Sequence, residues 1–212
     1  MHTLKEELLS ISIQLVRTGL NRGASGNVSV RSENGFIITP SGLKPEDMQS
    51  QDMIFLDSEG VNQSAGTPSS EWRFHKDIYN QRPEVGAIIH THSTFCTTLA
   101  CLRKDIPPFH YMIALAGGDS IRCAPYALFG SQELSDSALK ALEGRKACLL
   151  ANHGMIVIGN NLQSAMDLAL EVESLCEQYW RVLQVASPFI LNSREMSEVL
   201  ERFKTYGNRG GK

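Results

Sequence analysis

The chain has 212 residues, enough for one domain with a sizeable core. Hydrophobic residues make up 42% of it and charged residues 20%, a composition typical of globular proteins. The net charge of −3 gives no basic surface for nucleic acid, and no apolar run is long enough to span a bilayer. The acidic, amphipathic N-terminus is unlike a secretory signal, and five cysteines without a C-x-x-C pair indicate reduced thiols. The composition therefore predicts a cytoplasmic protein that binds neither nucleic acid nor a membrane.

Helical and β-branched patterns alternate irregularly along the chain, without repeats or linkers. Helical spacing of apolar residues predicts a first helix, with Thr3 and Glu6 as a capping box. The remaining predicted elements are strands at 28–31, 35–39 and 53–56, a helix at 69–80, a strand at 85–90, a helix at 93–102, strands at 147–151 and 155–158, a helix at 162–186, and a last helix from Asn192 to near Tyr206.

This mixed order bears directly on the fold class. Short strands that lie close together in the sequence favour a largely antiparallel sheet with helices packed on its faces. A TIM barrel is disfavoured because there is no eight-fold pattern, and a Rossmann fold because there is no G-x-G-x-x-G motif. The expected architecture is an α/β domain.

Three histidines form a candidate metal site. His90 and His92 end a predicted strand, where residues two apart point to the same face, so both imidazoles can be directed at one point. His153 lies in the sequence Ala-Asn-His-Gly between two apolar strands, and Gly154 is expected to permit the backbone conformation that presents its ring. Three protein ligands with one open position are typical of catalytic zinc. The sequence therefore predicts a divalent cation, with zinc as the first choice.

Simpler interpretations of these histidines stay open. An H-x-H pair also occurs as ordinary surface or core histidines, and the spacing does not show whether His153 meets the pair. His75 lies four residues after Glu71, on the same face of the predicted helix, and is a rival ligand. Packing of the helix is the favoured interpretation for His75. His2 and His110 carry no ligand pattern.

Three short segments rich in small polar residues, at 26–29, 39–42 and 68–71, are candidates for binding an anion. Ser69 and Ser70 open a predicted helix, where free backbone N–H groups and the helix dipole favour phosphate. A plain helix cap explains the two serines equally well. Glu71 follows them, and it can be a metal ligand, a general base or a residue that interacts with the dipole.

Several motifs together resemble one known family. They are PSSEWRFH at 68–75, HTH at 90–92, HYMI at 110–113, AGGD at 116–119, CAPY at 123–126, NHG at 152–154 and FKTYG at 203–207. In these motifs the chain is similar to the zinc-dependent L-fuculose-1-phosphate aldolases of the class II aldolase/adducin family. The resemblance extends from about residue 19 to residue 207, and its motifs are specific only in combination.

The resemblance implies a three-layer α/β/α subunit with a central, mainly antiparallel sheet. It implies a single domain over residues 1–207, followed by a disordered tail at 208–212. It also implies a homotetramer whose active sites lie between neighbouring subunits, and a small phosphorylated sugar as the substrate.

The resemblance also implies roles for individual residues. One zinc ion per subunit would be bound by His90, His92 and His153, with Glu71 as the fourth metal neighbour and the acid/base residue. Tyr111, from the adjacent subunit, would be the second proton-transfer group. The remaining implied residues are a phosphate pocket of Asn27, Ser41, Gly42, Ser69 and Ser70, and Tyr206 in the tail at the aldehyde end of the substrate.

Two positions depart from the pattern of the relatives. Ser41 stands where a relative has Thr, which keeps the hydroxyl, and Asn152 stands where a relative has His. Both lie next to the expected chemistry, so they bear on substrate preference more than on reaction type.

The activity that the resemblance implies is that of a lyase, which cleaves L-fuculose 1-phosphate to dihydroxyacetone phosphate and L-lactaldehyde. Alternatives on the same scaffold are aldolases for 5-deoxyribulose or methylthioribulose 1-phosphate, and ribulose-5-phosphate 4-epimerase. The serine pair at 69–70 and the His110-Tyr111 pair favour an aldolase over the epimerase. A non-catalytic module of the adducin type is disfavoured, because it has no need of the metal histidines.

Overall fold

The computed structural model describes residues 2–204, in which a seven-stranded sheet lies between two layers of helices. The strands are β1 (Asn27–Ser32), β2 (Gly35–Ile38), β3 (Ile54–Asp57), β4 (Ala87–Thr91), β5 (Arg122–Ala124), β6 (Ala147–Leu150) and β7 (Gly154–Gly159). The helices are α1 (His2–Arg17), α2 (Trp72–Gln81), α3 (Thr94–Ala100), α4 (Gln132–Ala141), α5 (Leu162–Val185) and α6 (Ser193–Phe203). Short 3₁₀ segments occur at Pro45–Asp47, Ser50–Asp52 and Tyr111–Ala116.

The strand order across the sheet is β3-β2-β1-β4-β7-β6-β5. Every neighbouring pair is antiparallel except β5 and β6, which are parallel. The prediction of a mainly antiparallel sheet is therefore confirmed. β1, β4 and β7 are adjacent in the middle of the sheet, so the ends of β4 and β7 lie side by side.

Successive side chains along each strand point to opposite faces of the sheet, so the core is divided into two halves. Ala87 and Ile89 of β4 pack in one core with α1, α3, α5 and α6, whereas Ile88 packs in a second core with α2 and α4. The three-layer α/β/α architecture is confirmed by this arrangement. Because side chains two apart share a face, His90 follows Ile88 onto the side of α2. Within residues 2–204, no helix is both long and apolar enough to cross a membrane.

The start of α2 differs from the prediction. The helix begins at Trp72, and Glu71 is its N-cap residue, so Ser69 and Ser70 precede the helix. The reason is a backbone contact with the end of β2: the N–H of Ser69 donates to the carbonyl of Thr39 at 3.1 Å, which keeps this segment extended. The predicted helix end near Tyr206 and the tail at 208–212 lie outside the described residues.

One carboxylate of α5 fixes the start of α3, immediately after His92. Glu173 accepts hydrogen bonds from the hydroxyl of Ser93 at 2.6 Å and from the backbone N–H groups of Phe95 at 2.8 Å and Cys96 at 2.9 Å. These are N–H groups that the first turn of a helix cannot pair internally. Glu173 therefore supplies the cap from a different helix and ties α3 to α5.

We expect Glu173→Ala to lower the free energy of unfolding by about 3 kcal/mol, because hydrogen bonds to a charged group are lost in a partly buried place. The measurement is urea unfolding followed by circular dichroism. Glu177→Ala is the matched control on the same helix, since the exposed pair of Glu177 with Arg181 contributes about 0.5 kcal/mol or less. Equal losses in the two variants would contradict the capping role.

Candidate metal centre and substrate pocket

Four side chains from three separate elements meet at one end of the sheet. Glu71 comes from the start of α2, His90 and His92 from the end of β4, and His153 from the turn between β6 and β7. One donor atom of each lies within 4.8 Å of those of the others. The carboxylate oxygens of Glu71 lie 3.0 Å from His90 Nε2 and 3.3 Å from His153 Nε2. The structure therefore brings all four predicted metal-binding residues together.

The imidazole of His90 has a fixed orientation. Its Nδ1 donates to the backbone carbonyl of Met155 on the neighbouring strand β7, at 2.9 Å. That bond directs Nε2 at the cluster, where it lies 3.0 Å from Nε2 of His92. Such a backbone partner on the other ring nitrogen is the usual way in which a metal-binding histidine is held.

The turn that presents His153 is built differently from the expectation. Asn152 has the left-handed backbone conformation, with φ of 55°, and Gly154 is not among the positive-φ residues. Asn tolerates this region better than most residues, and its side chain accepts a hydrogen bond from Arg103 at 2.6 Å. Gly154 is needed for another reason, since a Cβ there would lie 2.2 Å from the carbonyl oxygen of Thr91. The expected role of Gly154 was therefore wrong, and close strand approach explains it.

The charges in the cluster favour a cation. Burial alone would raise the pKa of the Glu71 carboxyl, but His90, and then His153 and His92, lower that pKa to about 2. Burial and the neighbouring His90 lower the pKa values of His92 and His153 to about 4. At neutral pH the cluster thus offers one carboxylate, from Glu71, and the neutral imidazoles of His92 and His153.

A divalent metal ion fits these residues. Glu71 Oε1 is buried and has no hydrogen-bond partner, which is costly unless a cation satisfies it. Three imidazoles and one carboxylate form a donor set typical of zinc and other divalent transition metals. Glu71, His90, His92 and His153 could therefore hold such an ion together.

His75 is not part of the cluster, so its interpretation as a rival ligand is not supported. It is fully buried between α2 and β1, and both ring nitrogens have protein partners. Nδ1 lies 2.7 Å from the hydroxyl of Ser29, and Nε2 lies 2.5 Å from Oδ1 of Asn27. The favoured interpretation as a packed helix residue is confirmed, with a polar role in addition.

Burial, and then His90, lower the pKa of His75 from 6.5 to about 3. We expect metal-free protein to lose stability as the pH falls from 6.5 towards 3, because only the unfolded chain takes up this proton there. The contribution of His75 is complete above pH 6.5 and falls by about 1.4 kcal/mol per pH unit below it. Urea unfolding with a chelator, above and below pH 6.5, measures this slope. His75→Gln should show a shallower slope, and an unchanged slope would contradict the assignment.

A cavity of about 350 Å³ opens beside the metal cluster. All five residues predicted for the phosphate pocket line it: Asn27, Ser41, Gly42, Ser69 and Ser70. The segments around Ser41 and Ser69 are held together by backbone bonds, since Ser41 N–H donates to Thr67 and Ser69 N–H donates to Thr39. Among the described residues, the lining contains no lysine or arginine, so hydroxyl and amide groups would bind an anion here.

The same cavity also has apolar lining residues. They are Tyr126, Ala127 and Phe129, of which Tyr126 and Phe129 are 54% and 64% exposed. In the sequence, Tyr126 stands out only as part of the CAPY motif, and Phe129 belongs to no predicted site. The signal was a run of large apolar residues in a loop, which is unusual for a segment exposed to water. The cavity is thus lined by small polar residues, by members of the metal cluster and by apolar side chains.

Tyr111 lies away from the metal cluster of its own subunit. It is 50% exposed, lines a separate cavity with α6, and stacks on Phe203 with ring centroids 6.3 Å apart. Within the described residues, the fold therefore does not bring Tyr111 to the four cluster residues. Tyr206 lies outside the described residues.

A three-layer α/β subunit with a carboxylate and three histidines beside a polar pocket defines a class of metal-dependent enzymes. The family described as Class II Aldolase and Adducin N-terminal domain matches residues 6–180, and the chain belongs to this family.

Relatives with an assigned activity indicate which kind of enzyme within the family this chain is. A 5-methylthioribulose-1-phosphate/5-deoxyribulose-1-phosphate aldolase of Rhodospirillum rubrum is 56% identical over 205 residues, covering 97% of this chain and 93% of that protein. An L-fuculose phosphate aldolase of Escherichia coli K12 is 45% identical over 207 residues, covering 97% and 96%. A solved structure of L-fuculose 1-phosphate aldolase has a TM-score of 0.92 at 40% identity, covering 95% and 96%. The chain is a class II aldolase, and the prediction of a lyase is confirmed.

Proposed function

We propose that this aldolase cleaves 5-methylthioribulose 1-phosphate and 5-deoxyribulose 1-phosphate. Breaking the C3–C4 bond of these ketoses yields dihydroxyacetone phosphate together with (methylthio)acetaldehyde or acetaldehyde. Both aldehydes carry an apolar end, and the presence of Tyr126 and Phe129 in the cavity lining is the observation that supports this substrate class. The 56% identity to the aldolase of Rhodospirillum rubrum supports it as well.

The small polar residues of the cavity lining would bind the phosphate. In the proposed arrangement, the hydroxyls of Ser41, Ser69 and Ser70, the amide of Asn27 and the backbone of Gly42 surround it. All five line the cavity. Binding energy from this remote group would position C3 and C4 next to the cluster, which is how non-reacting parts of a substrate contribute to rate.

We propose zinc as the ion bound by Glu71, His90, His92 and His153. A bound divalent ion supplies Lewis-acid stabilisation of the negative charge that cleavage leaves on the dihydroxyacetone phosphate half. His90 and His92 are held by β4, and Glu71 is held at the start of α2, where its side chain caps no helix group.

Two side chains would transfer protons. Glu71 lies at the boundary of the cluster and the cavity. In the condensation direction its carboxylate would remove a proton from the carbon that becomes C3, and in cleavage it would first take up a proton from solvent and then deliver it to C3. Tyr111 of a neighbouring subunit would take the proton of the C4 hydroxyl as the C3–C4 bond breaks. The position of Tyr111, away from the cluster of its own chain, supports active sites shared between subunits, and the proposed assembly is a homotetramer.

L-Fuculose 1-phosphate is the second candidate substrate, supported by the 45% identity to the aldolase of Escherichia coli. It differs at the aldehyde end, where C5 carries a hydroxyl group. Facing Tyr126 and Phe129, this hydroxyl would lose hydrogen bonds to water. A pocket of this kind rejects an added hydroxyl only weakly, by about 10- to 100-fold. The two substrates therefore differ in rate and not in reaction type.

A substrate panel tests the proposal. Purified protein is incubated with each ketose 1-phosphate, and dihydroxyacetone phosphate is detected by reduction with a coupled dehydrogenase. We expect kcat/KM for 5-deoxyribulose 1-phosphate to exceed that for L-fuculose 1-phosphate by about 10-fold or more. Phe129→Ser should reduce this ratio, while Val61→Ser, on an exposed position away from the cavity, should leave it unchanged. Preference for L-fuculose 1-phosphate would overturn the substrate assignment.

A further inference from the structure

Helix α2 and strand β1 carry two matched rows of polar side chains. On α2 the row is Glu71, His75 and Tyr79, at intervals of four residues, and on β1 it is Asn27 and Ser29, at an interval of two. Four residues of helix rise about 6.0 Å and two residues of strand about 6.6 Å, so the rows stay in step. We call these five residues the polar ladder.

The ladder is a continuous series of hydrogen bonds through the protein interior. The hydroxyl of Tyr79 lies 2.8 Å from that of Ser29, which lies 2.7 Å from His75 Nδ1. His75 Nε2 lies 2.5 Å from Asn27 Oδ1, and Asn27 Nδ2 donates to Glu71 Oε2 at 3.2 Å. The four members behind Glu71 are at most 4% exposed. Buried groups of this kind are costly unless every partner is present.

The direction of these hydrogen bonds follows from the carboxylate at the end. An ionised Glu71 only accepts, so Asn27 must present its NH₂ group to Glu71 and its Oδ1 to His75. His75 must then donate from Nε2, which leaves Nδ1 to accept from Ser29. The oxygen of Ser29 is left to accept from Tyr79. Each donor therefore points along the ladder towards the metal cluster.

We propose that His75, Ser29 and Tyr79 are positioning residues, which hold the carboxylate of Glu71 in its reactive orientation through Asn27. The proposal rests on the role of Glu71 as the proton-transfer group in the proposed function. Glu71 makes no cap bond to its own helix, and its Oε1 has no hydrogen-bond partner. The Asn27 amide is therefore the neutral donor that fixes this carboxylate, and His75 prevents the amide from turning over.

The tautomer of His75 is the first test, and it does not depend on activity. In ¹⁵N-labelled, metal-free protein, NMR correlation spectra of the imidazoles distinguish a protonated Nε2 from a protonated Nδ1. We expect His75 to be protonated at Nε2, with the assignment made by the loss of its signals in His75→Gln. Protonation at Nδ1 would reverse the ladder and overturn the proposal.

The second test separates positioning from stability. The exchange of the hydroxymethyl hydrogen of dihydroxyacetone phosphate with D₂O requires the base but no aldehyde, and proton NMR follows it. We expect Ser29→Ala to lower kcat for exchange by about 10-fold, with KM and metal content unchanged. Tyr79→Phe, at the far end of the ladder, should show a smaller loss of the same kind.

Ser135→Ala is the matched control. Ser135 is also fully buried, and its hydroxyl donates to Asp77 on the other side of α2, at 2.7 Å. The Ser135→Ala variant should lose stability as Ser29→Ala does, while its rate of hydrogen exchange stays at the wild-type value. A wild-type exchange rate in Ser29→Ala would overturn the positioning role of the ladder and leave the proposed function intact. A wild-type protein that exchanges no hydrogen would overturn the proposed function, and the catalytic role of the ladder with it.

Discussion

Glu71→Gln is expected to slow cleavage by about 10²- to 10⁴-fold, the usual effect of removing a group that transfers a proton. Gln has nearly the same volume and can still accept the hydrogen bond of Asn27, so the fold should persist. It cannot carry the negative charge that the lowered pKa of Glu71 secures at neutral pH. Three imidazoles remain, which is the usual number of protein ligands in a catalytic zinc site. Metal content should therefore change little.

The measurement is steady-state release of dihydroxyacetone phosphate, with metal content determined by mass spectrometry on the same sample. Glu177→Gln, which alters an exposed carboxylate on α5, is the control for the loss of one charge. A variant that keeps its metal and turns over at a near-normal rate would exclude Glu71 from proton transfer. A variant that loses its metal would show instead that the carboxylate is needed as a ligand.

Local patterns in the sequence predict much of this site, because some of its geometry is local. Alternation along β4 places His90 and His92 on one face without any knowledge of the rest of the fold. The position of His153 beside His90 and His92 depends on the pairing of β4 with β7. These two strands are more than sixty residues apart in the sequence. That register is set by packing of the whole sheet, so the sequence permitted the convergence but could not show it.

Other features were missed for particular physical reasons. Helix α4 was not predicted, although Ser131 caps it and Leu134, Ala138 and Ala141 face the core. The cap residue and the helical spacing of these apolar residues are local features of the sequence, so this helix could have been predicted. Strand β5 is only three residues long and is defined by its parallel pairing with β6, for which no local pattern exists.

The polar role of His75 also lies beyond local patterns. Helical spacing relates it to Glu71, but its partners Asn27 and Ser29 come from a strand more than forty residues earlier. Only the matched rise of α2 and β1 connects the two rows. A histidine on an apolar helix face was therefore correctly predicted to be packed, while the polar reason for its presence required the structure.

His153→Asn is expected to abolish cleavage and to weaken binding of the divalent ion by about 100-fold or more. His153 is one of three imidazoles in the cluster, and its lowered pKa of about 4 means that it needs to release no proton to bind a cation at neutral pH. Even the outer partners of metal ligands contribute about 10- to 100-fold in affinity, so removal of a direct donor should exceed that. Asn is polar and shorter, so the turn at Asn152 should form normally.

Removal of the ion from the wild-type protein separates the loss of metal from damage to the fold. A chelator should abolish cleavage by the wild type, and added zinc should restore it. His153→Asn should unfold at nearly the same urea concentration as chelated wild type, because both lack the ion and keep the same core. Zinc should not restore its activity at concentrations that saturate the wild type. Full activity of the wild type after exhaustive chelation would contradict the metal centre, and rescue of His153→Asn by low zinc would remove His153 from the ligand set.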